Sequence, residues 1–116
     1  MKQWYTRPVF FVNDAELAIE FYRQKLGFEL DWNHQDQGRA FVCQVSRPGC
    51  ELILAQGKSG AGCGRVFISL NEEQESALRS EIEAKKIEAK DSWWGMPIIQ
   101  ILDPDRNELF FSPPSK

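Results

Sequence analysis

The chain of 116 residues has one histidine, His34, and three cysteines, Cys43, Cys50 and Cys63, none in Cys-x-x-Cys spacing. An odd thiol count without paired spacing speaks against a disulfide framework and a structural zinc site, and it fits a reducing cytoplasm. No apolar run approaches the roughly 20 residues a membrane-spanning helix needs. The opening Met1-Lys2-Gln3-Trp4-Tyr5 lacks the apolar stretch of a secretion signal. A cytoplasmic location without membrane association is therefore expected. There is no basic stripe and the formal net charge is -3, which removes nucleic acid as a partner. The length is that of a single domain able to bury its own core.

What is there is a repeat. Arg7-Pro8-Val9-Phe10-Phe11-Val12-Asn13 resembles Arg65-Val66-Phe67-Ile68-Ser69-Leu70-Asn71, at an offset of 65 − 7 = 58. Each copy is an apolar strand opened by arginine and closed by asparagine. Asn13 with Glu16, and Asn71 with Gln74, match the capping-box spacing, so each asparagine is expected to start a helix. Ala15, Ala18, Ile19, Tyr22 and Leu26 continue at helical spacing in the first copy, and Leu78 and Ile82 in the second. Gly27 is placed to end the first helix.

Strand signals follow in both copies: 28–32, 41–45 and 51–55, then 87–90, 98–102 and 108–112. Turn clusters separate them at 33–38, 47–49 and 103–105. The order is βαβββ twice, an α+β arrangement with halves 1–56 and 64–116 joined by a flexible Gly-rich linker, 57–63. Its glycines lack phosphate-loop spacing. Alternation puts Phe10, Val12, Leu52, Leu54, Leu109 and Phe111 on an apolar face that suits the helices. The opposite face mixes charges with aromatics: Arg7, Phe11, Glu51, Arg65, Phe67, Glu108 and Phe110. That face is either a ligand surface or the wetter side of an antiparallel sheet.

Val9-Phe10-Phe11-Val12-Asn13-Asp14, Ala18-Ile19-Glu20-Phe21-Tyr22 and Leu26-Gly27-Phe28 resemble the opening of the vicinal oxygen chelate superfamily, which includes glyoxalases, extradiol dioxygenases and bleomycin resistance proteins. Leu102-Asp103-Pro104-Asp105-Arg106-Asn107 is similar to that superfamily's Asp-Pro-Asp-Gly-Asn segment, with Arg106 in place of the glycine. The resemblance covers essentially the whole chain. It implies a glyoxalase/bleomycin-resistance-type curved sheet around a cleft, often completed in a homodimer.

In the metal enzymes of that superfamily, four ligands stand on the first and last strands of the two halves. Carried onto this chain, the positions fall on Arg7, Glu51, Arg65 and Phe110. Arginine has no lone pair to give a metal, and His34 is expected in the polar turn between the second and third strands. The resemblance therefore implies a site without metal or cofactor, where Arg7, Glu51 and Arg65 meet as an ion cluster or as a seat for an anionic or carbonyl group. Trp94-Gly95 before the seventh strand resembles bleomycin resistance proteins in particular. Trp32, Phe67, Trp93, Trp94 and Phe110 then offer stacking surfaces to a small-molecule ligand. Cys43 is expected to be strand-embedded and inert.

Three readings follow. The first is a dimeric, metal-free binding protein, more binder than enzyme, with antibiotic sequestration as its sharpest form. The second is a metal-dependent glyoxalase-type lyase, transferase or dioxygenase. The third is a structural or regulatory dimer whose cleft its own side chains fill.

Overall fold

Val9–Val12 is short and apolar, follows Pro8 and ends at a helix start; it forms the first strand, β1. The computed structural model describes residues 3–114. After β1 come α1 (Ala15–Gln24), β2 (Glu29–Asp36), β3 (Arg39–Arg47) and β4 (Cys50–Gln56). A single 3-10 turn, Lys58–Gly60, leads to β5 (Arg65–Ser69), α2 (Glu72–Lys85), β6 (Ala89–Trp93), β7 (Pro97–Leu102) and β8 (Glu108–Ser112). The expected βαβββ order is present twice. It builds two four-stranded sheets, β1-β4-β3-β2 and β5-β8-β7-β6, and neither closes into a barrel. In each, the first strand pairs parallel with the last and the rest are antiparallel.

The helix starts differ from each other for a local reason. Asn71 caps α2 with the full reciprocal box: its side chain accepts from Gln74 N, and Gln74 Oε1 accepts from Asn71 N. At α1 the cap is Asp14, one residue later than expected, and its carboxylate accepts from Glu16 N and Leu17 N. A carboxylate at a helix start also answers the helix dipole, and Arg39 braces it with an ion pair at 3.1 Å. Asn13 is drawn elsewhere: its N–H and Nδ2 both donate to Asp105 of the other half. Glu16 does not fold back to the cap; it accepts from Ala40 N at 2.7 Å.

Three strand boundaries also differ. β2 and β3 run through most of the expected turn and meet at Gln37 and Gly38, both at positive φ, a two-residue hairpin turn that matches strand twist. His34 accordingly stands in β2, not in a turn. β6 begins at Ala89, because α2 ends with Lys86 in the left-handed conformation and Ile87 N donating back to Ile82 O. That closure uses the first residues expected in the strand. The linker is more ordered than a flexible tether. Its 3-10 turn lies beside Phe11, and Phe11 bridges to Ala61 in parallel.

One hydrophobic core draws on both halves, from Phe10, Tyr22 and Leu54 to Leu109 and Phe111. The β7–β8 turn staples them together. Asn107 is fully buried; Nδ2 donates to Phe11 O and to Asp103 Oδ2, and Oδ1 accepts from Gly64 N. Across the junction, Arg47 donates to both carboxylate oxygens of Glu81 and to Leu26 O. Burial pushes the Asp103 carboxyl above its ordinary range, against bonds from Asn107, Tyr22 and Asp105 that pull it down.

Candidate functional site

With the helices on one side, the open faces of the two sheets carry the remaining polar and aromatic side chains. Their registers show what corresponds to what. Val9, Ile53 and Gln44 form one row across β1, β4 and β3. Phe67, Phe110 and Gln100 form the same row across β5, β8 and β7. Two residues before each row stand Arg7 and Glu51, and Arg65 and Glu108. The counterpart of Glu51 is therefore Glu108 (108 − 51 = 57), not Phe110, whose place corresponds to Ile53.

In the second sheet these residues converge. Arg65 Nε donates to Glu108 Oε1 at 2.7 Å, and Gln100 Nε2 donates to Glu108 Oε2 at 2.7 Å. Trp94 lies 4.5 Å from the Phe110 ring and 5.9 Å from Phe67, centroid to centroid. Phe110 is buried beneath it, while Trp94 is 50% and Phe67 46% exposed. Arg65, Ser92, Trp94, Gln100, Glu108 and Phe110 line an open recess of about 340 Å³. It is an aromatic shelf beside a carboxylate held by two donors.

The first sheet uses the equivalent positions differently. Arg7 Nη1 donates to Gln44 Oε1 at 2.6 Å, and its guanidinium lies over the Tyr5 ring at 4.9 Å. Gln44 is buried; its Nε2 donates to Asp31 Oδ2, and Ser46 donates to Asp31 Oδ1. Trp32 stands 5.5 Å from His34 on the edge strand.

Within the single chain Arg7, Glu51 and Arg65 do not meet: among the described residues neither arginine bonds Glu51. The reason is competition within each sheet. Glu108 sits directly across from Arg65, and Gln44 lies within reach of the long Arg7 side chain. Trp93 is largely exposed at the β6–β7 turn, and alternation along β6 sends it to the face opposite Ser92. Trp4 is fully exposed in the single chain.

Sequence reasoning missed Asp31, Gln44, Ser92 and Gln100. A signal for the two glutamines existed: they repeat at 100 − 44 = 56, but only an alignment allowing for unequal turns finds it. A larger recess, about 910 Å³, lies between α1 and β2. It is wide and acidic, and two of its carboxylates, Glu16 and Asp31, are already committed to Ala40 N and to Gln44 and Ser46.

The donor set does not suit a metal. Two of the four positions are guanidiniums, and among the described residues no three His, Cys, Asp or Glu side chains cluster as a metal would need. Among the described residues no cysteine lines the recess, and in the first sheet burial pushes the Cys43 thiol up to about 11. No described helix is long and apolar enough to cross a membrane.

A family model described as "Glyoxalase superfamily protein" matches residues 3–115. Among curated proteins none matches. Several solved structures share the architecture. A glyoxalase/bleomycin resistance protein from Catenulispora acidiphila is similar at TM-score 0.79 and 20% identity, over 97% of this chain and 100% of that one. The bleomycin-binding protein of Streptomyces verticillus, complexed with copper(II)-bleomycin, is similar at TM-score 0.74 and 19% identity, over 99% of both chains. A mutant of the fosfomycin resistance protein of Listeria monocytogenes, complexed with manganese(II) and a dihydroxypropylphosphonic acid, is similar at TM-score 0.71 and 14% identity, over 99% of this chain and 95% of that one. At these identities the likeness is one of fold, and the fold carries both binders and metal enzymes.

Proposed function

The chain belongs to the glyoxalase superfamily, and on that premise we propose that it is a metal-free small-molecule-binding protein that sequesters a flat aromatic ligand, with an antibiotic of the bleomycin kind as the leading candidate. The observation that carries this reading is the half-exposed Trp94 ring resting on Phe110 beside Phe67, over a recess walled by Arg65, Glu108 and Gln100. A planar ligand gains most from such a shelf, because a ring laid on Trp94 buries apolar area on a surface already fixed by packing. Arginine at two of the four positions where metal enzymes of this fold place ligands favours binding over metal-assisted chemistry.

A homodimer fits the same reading, because the open sheet faces carry half-exposed aromatics such as Phe11 and Phe67 that a second copy would help to enclose. A cytoplasmic site of action fits the three free thiols.

Titration of tryptophan fluorescence with bleomycin tests the function directly. Saturable quenching near one ligand per chain is the expected result. An unchanged spectrum with every aromatic ligand tried, together with about one equivalent of tightly held divalent metal, would move the protein to the metal-dependent enzymes of the superfamily. Sedimentation of a single species at monomer mass at micromolar concentration would remove the dimer.

A further inference from the structure

Arg65 is held by one edge only. Its Nε donates to Glu108, no other bond to its guanidinium occurs among the described residues, and its side chain is 76% exposed. Gln100 occupies the second oxygen of the same carboxylate. Glu108 is thereby kept from swinging round to chelate the arginine through both oxygens. The pair Nη1 and Nη2, coplanar and spaced to match a carboxylate, is left unbonded on a residue that lines the same recess as Trp94 and Phe110.

The equivalent arginine in the first sheet cannot do the same. Arg7 spends Nη1 on Gln44, and one face of its guanidinium is covered by Tyr5. Glu51, the counterpart of Glu108, takes no part in fixing it. Two halves with matching residues have thus settled into one closed polar network and one open donor edge.

We propose that the second sheet recognises an aromatic ring bearing a carboxylate, the ring on Trp94 and the carboxylate on the free Nη edge of Arg65, with Glu108 and Gln100 as positioning residues. This rests on the reading of the open faces as a ligand site and assigns an anionic charge class to what binds there, which sets it apart from the cationic bleomycin type. Net charge does not drive the preference, since Arg65 and Glu108 cancel. Geometry does: a carboxylate can take two parallel N–H bonds, whereas an ammonium at the same place would meet a fixed guanidinium and reach only the lone pairs of Glu108 that Arg65 and Gln100 leave free. Long-range repulsion between Glu108 and the incoming anion is offset by the donors that already hold Glu108.

The test compares 4-nitrobenzoate with 4-nitrobenzylamine, two tryptophan quenchers of similar shape and opposite charge. The full chain should bind the benzoate about tenfold more tightly, the scale of one charge-assisted bidentate contact. Arg65→Gln should abolish that preference. Gln100→Leu frees Glu108 to close on Arg65 and should shrink the preference severalfold while leaving the unfolding midpoint in urea near that of the parent. Trp94→Phe should remove most of the quenching. Equal affinity for the two probes, or a preference that survives in Arg65→Gln, would overturn the charge assignment and leave the aromatic cleft standing. Failure of both probes and of bleomycin to quench would overturn the cleft itself.

Discussion

Tyr22 Oη, on α1 of the first half, donates to Asp103 Oδ2, in the β7–β8 turn of the second, at 3.0 Å with both groups buried. The bond spans the two halves at the centre of the molecule, and it ends on the carboxylate that also gathers Asn107 N, Asn107 Nδ2 and Asp105 N. Tyr22→Phe leaves that carboxylate three donors, so the loss should be modest, about 1 kcal/mol. Asn107→Ala strips partners from Gly64 N, Phe11 O and Asp103 at once, all in or beside the core. With each buried unpaired group costing roughly 1–3 kcal/mol, that variant should lose several times as much. Urea unfolding of the two variants checks the ratio; equal losses would mean the turn is not the staple described.

The same junction sets a direction for alkaline stability. Burial raises the Cys43 thiol from 9.0 to about 11, and it also raises the Tyr22 phenol well above 10.0, with the neighbouring Asp103 carboxylate adding to the effect. Both groups are protonated when folded and ionise more readily when unfolded. The folded state then binds more protons than the unfolded state, so stability falls as pH rises through that window. Stability should therefore be flat up to about pH 9 and decline from there through 11, with Tyr22→Phe flattening the part of the decline above 10. Thermal midpoints measured from pH 7 to 11 would show this; a curve identical in wild type and Tyr22→Phe would sink the assignment.

Much of this fold can be read before any coordinates are seen. The internal repeat at Arg7 and Arg65 fixes two like halves, the Asn71/Gln74 box forms with both of its bonds, and β8 spans the expected 108–112. What escapes reading has physical causes. β2 is an edge strand whose last residues, His34, Gln35 and Asp36, are exposed on both faces, so it shows no apolar alternation there. The cap moves from Asn13 to Asp14 because Asp105, 92 residues away, competes for Asn13. At the site, single-residue matching finds Arg7, Glu51 and Arg65 but pairs Glu51 with the wrong partner. Alternation puts Glu108 on the right face, but only the strand register identifies it as the counterpart of Glu51 and brings in Gln100, because unequal turns change the repeat offset from one strand to the next.

Gly64 is required by space. A Cβ there would overlap the Phe10 ring at Cδ1 and stand 2.9 Å from Asn107 Oδ1, while Gly64 N is the donor that Asn107 Oδ1 accepts. Phe10 is buried against the core and cannot swing away. Gly64→Ala should therefore cost about 1–3 kcal/mol through overpacking, and because Gly64 precedes Arg65 and its carbonyl accepts from Glu108 N, it should disturb the shelf as well as the junction. Urea unfolding checks this: a lower midpoint is expected, and a midpoint equal to wild type would show that the linker has room to move.

The three thiols should differ in reactivity in an order that the core dictates. Cys63 is exposed in the linker, Cys50 is half-buried at the start of β4, and Cys43 is buried in β3. Only the thiolate attacks a disulfide reagent. Burial raises the Cys50 thiol, with Arg47 pulling it partly back, and Cys43 stays protonated at neutral pH with no path to solvent. With a chromogenic disulfide reagent at pH 8, Cys63 should react first, Cys50 distinctly more slowly, and Cys43 only after denaturant is added. Cys63→Ser should delete the fast phase alone. A second fast thiol in that variant would mean that Cys50 is open to solvent. Reaction of Cys43 in the folded protein at the rate of Cys50 would mean that β3 and β4 separate far more often than a sheet buried beneath α1 should allow.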